Sequence, residues 1–240
     1  MRHNQVGAAL IVVLMIIVLI TMIGLWAIRS GISSLKIFSN QQVTTLLLQN
    51  TDATFLSFQN PSKVNNYAEV NGIVGFFRNP VNQDRELVLC FTDDDSFNLE
   101  NAAWLDSQEN FQKLSSLGGP CDEQSNSDGR AQVLTQVNMR RVASANNEPF
   151  ADFARGTDVL TAKIESSLRL EMQVVSVMKG FVSNADDLFD KEQGCLYKRM
   201  DAKVDQVGLV KCLQDKGIVH NAQVAQYRFL SDFEPAGSQP

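Results

Sequence analysis

Four cysteines, Cys90, Cys121, Cys195 and Cys212, carry the clearest chemistry in the sequence. No two stand in a C-x-x-C step, and the only histidines are His3 and His220. The spacings that gather zinc ligands are missing, which leaves the thiols oxidation to disulfides. Their number is even and all four follow a long apolar segment, which fits a domain held in an oxidising compartment. Four cysteines allow three pairings. We favour Cys90–Cys121 with Cys195–Cys212, because each bond closes a modest loop containing glycine and polar residues. In the chain-entropy picture each bond stabilises the fold by about 3 kcal/mol.

The remaining reactive groups are sparse. His220 has no cysteine or acid at metal or triad spacing and is expected at the surface. Asp93, Asp94 and Asp95, followed by Asn98 and Glu100, offer oxygens to a cation. They lack the glycine and register of a calcium loop and read as a solvated turn. Ser125 to Arg130 is a second turn, marked by its Asp-Gly step. No G-x-S-x-G, phosphate loop or H-E-x-x-H occurs. No catalytic, cofactor-binding or metal residue is assigned, and the chain is not expected to be an enzyme. Its net charge of −6 argues against a general nucleic-acid surface. The one tight arginine pair, Arg140-Arg141, reads as a solvated strand end.

The elements that must carry these residues begin with the apolar segment. From Ala8 to Ile28 there is no charged residue. At about 1.5 Å per residue the run is roughly 30 Å long, enough to cross a hydrocarbon core. It is too long for a cleaved secretory signal and is not followed by an A-x-A site. Trp26 suits the interfacial belt and Arg29 the exit into water. The pattern then continues as helix. Steps of 3.5 residues from Ile28 land on Ile32, Leu35, Ser39, Val43, Leu46, Asn50 and Ala53, mostly apolar, as on a half-buried face. Pro61 is a natural stop. One helix over residues 8–58 is expected, with Gly24 and Gly31 as places where it can bend. Such a helix fuses the span to the following domain, so its second half belongs to that domain's core.

The residues "QVGAALIVVLMIIVLITMIGLWAIRS", Gln5 to Ser30, resemble the amino terminus of prepilin-like proteins, and within them the PilX-type minor pilins of type IV pili. The resemblance covers residues 1–60. It implies that a prepilin peptidase cuts between Gly7 and Ala8 and methylates the new amine. It also implies partners: other minor pilins and the major pilin through the amino-terminal helix, and inner-membrane lipid before assembly. Most pilins carry glutamate at the fifth mature position, where this sequence has Val12. A carboxylate inside the bilayer costs about 2.5–3.5 kcal/mol and is tolerated when a neighbour's amine pairs with it. A subunit with no neighbour above it has no such amine, so valine suits a filament tip or a priming role. The same replacement occurs in K-type pseudopilins of type II secretion.

Beyond residue 60 the sequence reads as follows. Residues 61–84 are a loop with one apolar piece, Ile73 to Phe77. Arg85 to Thr92 is a buried strand, and Phe97 to Gly119 a helix stopped by Gly118, Gly119 and Pro120. Ala131 to Ala143 is a strand. Asp158 to Val182 admits a helix early and a long strand over Ser167 to Gly180. Asp201 to Gly217 is a helix, and Ala222 to Glu234 a last strand. The expected fold is α+β: a long amino-terminal helix, apolar first and amphipathic later, packed on a mainly antiparallel sheet in a pilin-like manner. The expected organisation is a leader (1–7), a membrane or filament-core helix (8–28), its amphipathic continuation (29–60), a periplasmic domain (61–233) and a disordered tail (234–240). The expected function is that of a minor pilin that primes or tips a type IV pilus, in support of adhesion, twitching or DNA uptake. Two other classes fit less of the sequence: a K-type pseudopilin, and a bitopic periplasmic binding domain.

Overall fold

In the computed structural model, residues 6–69, 71–92, 97–115, 118–125, 132–142, 168–201 and 207–229 are described. The chain divides into two compact units, Met1–Thr45 and Leu46–Pro240. The division falls inside the amphipathic stretch and not at its end. Helix α1 (Val6–Phe58) supplies the described part of the first unit and opens the second. Pro61 stops it as expected, but Pro61 also starts helix α2 (Pro61–Ala68), where Asn60 Oδ1 caps the Ser62 N–H at 3.1 Å. Proline is at home there because a first-turn N–H has no intrahelical acceptor to lose.

The second unit is built on one antiparallel sheet. Its strands are β1 (Glu86–Phe91), β2 (Ala102–Leu105), β3 (Phe111–Lys113), β4 (Val133–Val142), β5 (Leu168–Met178) and β6 (His220–Phe229), in the order β3-β2-β1-β4-β5-β6. The α+β arrangement expected from the sequence is the one found. Strand period two sorts the side chains onto two faces. On one face Leu168, Leu170, Met172 and Val174 of β5 pack with Leu87 and Leu89 of β1 and with Phe58 of α1. On the other, Val175 and Val177 pack with Leu188, Leu196, Leu209 and Leu213. These leucines come from α4 (Asp186–Phe189), the turn Cys195–Tyr197 and α5 (Leu209–Asp215). With both faces covered, β4 and β5 are buried along most of their length.

The helix stripe that meets the sheet is turned from the expected one. Leu47, Asn50, Thr51, Thr54, Ser57 and Phe58 are buried, whereas Ala53 is exposed. Three of the polar residues in this stripe are satisfied locally, whereas Ser57 Oγ is buried without a partner among the described residues. Asn50 Nδ2 donates to the Leu46 carbonyl at 2.8 Å and Thr54 Oγ1 to the Asn50 carbonyl at 2.8 Å. Thr51 Oγ1 lies 3.0 Å from Ser176 Oγ, itself 3.0 Å from Thr135 Oγ1, so a buried hydroxyl chain joins α1 to β5 and β4. Below it Phe58 stacks on Tyr67 at 5.0 Å and meets Tyr227 edge-on at 4.9 Å. Such ring pairs contribute about 1 kcal/mol each beyond their buried area.

Three expectations are corrected. Residues 61–84 are not a loop: α2 and α3 (Ile73–Arg78) occupy most of them, and α3 buries Ile73, Val74, Phe76 and Phe77. Residues 97–119 are not a helix but chiefly the β2–β3 hairpin. There the Asp106 carboxylate accepts from the Gln108 and Asn110 N–H groups, and Glu109 takes the left-handed φ of 64° that closes the turn. Ladder pairing of Ala102, Ala103 and Leu105 with β1 outweighs a helical propensity that was only local. Of the helix expected over 201–217, the described residues show α5, and residues 202–206 lie outside them. The helix ends as expected at Gly217, whose φ of 66° lets the next N–H, that of Ile218, return to the Leu213 carbonyl at 2.9 Å.

Candidate functional site

Within the first unit, the 20 residues Leu10–Arg29 have a mean hydropathy of 3.0, and none of that span is buried in the rest of the chain. This helix is long and apolar enough to cross a membrane. Its one hydroxyl between Ala8 and Ile28, that of Thr21, is absorbed by the Val18 carbonyl at 2.8 Å, so no side-chain oxygen is left seeking water. Val12 is 56% exposed and Trp26 77%. Gly7 and Ala8 are the second and third residues of α1. A helix apolar on every side has two classes of partner, lipid tails and other apolar helices.

Comparison with known protein families, curated proteins and solved structures gave no match.

In the second unit the sulfurs are bonded as Cys90–Cys121 and Cys195–Cys212. Both bonds lie on the sheet face away from α1, in the cluster with Leu134, Val177 and Leu213. Two bonds of this kind point to an oxidising compartment. No group of His, Cys, Asp or Glu is placed to hold a metal ion among the described residues. His220 is not a free surface group: it is half-buried in β6, with Nδ1 2.8 Å from the Ile218 carbonyl. Arg140 is a strand-end residue as expected, but it is not simply solvated. It bridges Glu171 at 2.6 Å and Asp201. Asp93, Asp94, Asp95 and His3 lie outside the described residues, as do residues 126–130 and the tail.

The polar centre that sequence reasoning missed is Glu86. It is fully buried at the start of β1. Its Oε1 accepts from Asn138 Nδ2 at 2.7 Å and from the Met200 N–H at 2.8 Å. Its Oε2 has no hydrogen-bond donor, and Arg199 Nε stands 3.7 Å away, close enough for an ion pair only. Arg199 spends its other donors on backbone carbonyls of Leu105, Asp106 and Asp84, at 3.2, 2.7 and 3.3 Å. The pair thus ties the segment after Cys195 to β1, β4 and the β2–β3 hairpin. A lone acid at the head of the apolar run "LVLC" was the sequence signal that could have found it.

Burial pushes the Glu86 carboxyl up from 4.5 to about 7, against the lowering effect of Asn138, Arg199, Met200 and Arg140. Between those values the folded chain keeps a proton that the unfolded chain has lost, so this group favours folding less as pH rises. The shift is worth about 3 kcal/mol when complete. Glu86→Gln removes the titration. Relative to that variant, wild type is expected to lose about 3 kcal/mol of unfolding free energy between pH 4.5 and pH 8. Urea melts of both proteins in detergent micelles, followed by near-ultraviolet circular dichroism, measure it. Parallel pH profiles would contradict the assignment.

Proposed function

We propose that this protein is a minor pilin of the PilX type, which primes or tips a type IV pilus and leaves the inner membrane by helix transfer. What carries the reading is the amino-terminal helix: apolar all round, without a carboxylate at Val12, and continued into the core of an α+β domain. In this reading the apolar surface faces lipid before assembly and the helices of other minor pilins and the major pilin afterwards. Neither move changes its polarity match, so the helix can be exchanged between the two. A carboxylate at residue 12 needs a neighbour's amine; valine makes no such demand, as a first or last subunit requires. The two disulfides agree with a domain folded in the periplasm. The role is packing, not catalysis.

Intact mass of the membrane-extracted protein tests this. The expected product lacks residues 1–7 and carries one added methyl group on Ala8. Gly7→Val is expected to stay at full length, because a Cβ branch at the cleavage position blocks close approach of the backbone to the peptidase. A full-length wild-type product, or normal processing of Gly7→Val, would remove both the pilus reading and the pseudopilin reading that shares this processing.

A further inference from the structure

On the sheet face away from α1, amide side chains follow one another across the strands. Asn138 of β4 pairs with Gln173 of β5, and Gln173 with Val224 of β6. Asn138 is committed on both sides: its Nδ2 donates to Glu86 at 2.7 Å, and its Oδ1 accepts from Gln136 Nε2 at 3.0 Å. Gln173 is left over. It is only 7% exposed, and its Oε1 is buried with no hydrogen-bond donor among the described residues. Folded proteins rarely keep a buried amide oxygen in that state, because nothing offsets its lost hydration. Gln173 also lines a cavity of about 400 Å³, with Met200, Val210, Ala222 and Val224 as its apolar walls. Asp201, Lys211 and Gln214 add polar groups to the same lining. Val224 is 55% exposed, so this wall faces solvent.

We propose that this cavity binds a small neutral molecule carrying a primary amide on an aliphatic body. Charge is not what the site lacks. Asp201 is bridged to Arg140 and Lys211 to Asp215, so both ions of the lining are already paired. The uncommitted group is the neutral amide of Gln173. Its last torsion is broad and two-fold, so a turn of the amide brings its oxygen to a ligand. A ligand amide donates to that oxygen and accepts from the Gln173 NH2 in return, whereas a ketone or an ester only accepts. The walls select the rest of the molecule. Small-molecule sites combine apolar walls with a few polar groups in cavities of about 300–1,000 Å³, which includes this one. Water is a poor filling: each molecule takes about 30 Å³ and needs two to four polar partners. Met200, Val210, Ala222 and Val224 offer it none from their side chains. The inference concerns the second unit alone and stands whether or not residues 1–7 are removed.

Pentanamide and butyl methyl ketone test it, since they share the butyl carbonyl and differ only in NH2 against CH3. Isotope-labelled full-length protein in micelles is titrated with each. Nuclear magnetic resonance follows the Gln173 side-chain amide and the backbone amides of Ala222 and Val224. Wild type is expected to bind pentanamide saturably and the ketone about tenfold more weakly, the usual effect of leaving a buried polar group without its partner. Gln173→Met keeps the length of the side chain and removes its amide, so it should bind the two probes alike. Measured beside wild type, it also cancels any difference in micelle uptake between them. Val224→Trp, at an exposed position, fills the cavity from one wall and should weaken both probes at least about tenfold. Near-ultraviolet circular dichroism checks that each variant is folded. Shifts that do not saturate would leave water as the sole occupant and overturn the proposal. Equal affinity of wild type for the two probes, an amide preference that survives Gln173→Met, or unchanged binding by Val224→Trp would overturn it as well.

Discussion

Replacing all four cysteines by alanine is expected to lower the stability of the second unit by about 6 kcal/mol, a large share of the 5–15 kcal/mol that holds a typical domain. The two bonds close loops of 31 and 17 residues. Loops of that size each remove roughly 3 kcal/mol of unfolded-state entropy. The loops neither overlap nor nest, so their entropic terms add. The packing terms do not, because Cys121, Cys195 and Cys212 are buried together in one cluster with Leu196 and Leu213. Each single pair should therefore cost about 3 kcal/mol, and the quadruple variant somewhat more than the sum. Urea melts of wild type with and without reductant, beside the Cys→Ala pairs, read this directly. A loss below about 2 kcal/mol for the quadruple variant would show that the core holds without its bonds. The same result would weaken the inference that the domain must fold in an oxidising compartment.

Arg199→Ala is expected to cost about 3–5 kcal/mol at pH 8. The substitution leaves a buried carboxylate at Glu86 with no cation and removes three donors from the carbonyls of Leu105, Asp106 and Asp84. The cost has a sign in pH. Without the guanidinium, the folded-state pKa of Glu86 moves further above about 7. At pH 5 the carboxyl is protonated in either protein, so losing the cation matters little there and only the lost carbonyl bonds remain. The variant should thus be closer to wild type at pH 5 than at pH 8. Denaturation at both values separates this from a simple cavity effect, which has no reason to follow pH. Equal costs at the two values would mean that Glu86 does not titrate in this range.

Much of the fold was legible because its signals are local. The run from Ala8 to Ile28 shows by length and composition a helix apolar enough to cross a membrane. Strands β1, β4, β5 and β6 announced themselves by β-branched and alternating residues, and Gly217 and Pro61 by the backbone each permits. The disulfide pairing followed from loop size. What failed were segments whose state depends on neighbours far along the chain. Ala102 to Leu105 is strand because β1 offers a ladder, and Ile73 to Arg78 is helix because its apolar residues have a sheet face to enter. The buried stripe of α1 was misread because Thr51 and Thr54 look polar, and only the folded helix supplies the acceptors that let them be buried.

The amino-acid sequence by itself determined the apolar span, the compartment chemistry of the cysteines and the long helix, since each depends on composition and short spacing. Only the tertiary structure decided that Glu86 and Arg199 meet across 113 residues of chain and that β6 stands last in the order of the described strands. Pairing between distant segments is set by which surfaces remain to be covered, and no local pattern encodes that remainder.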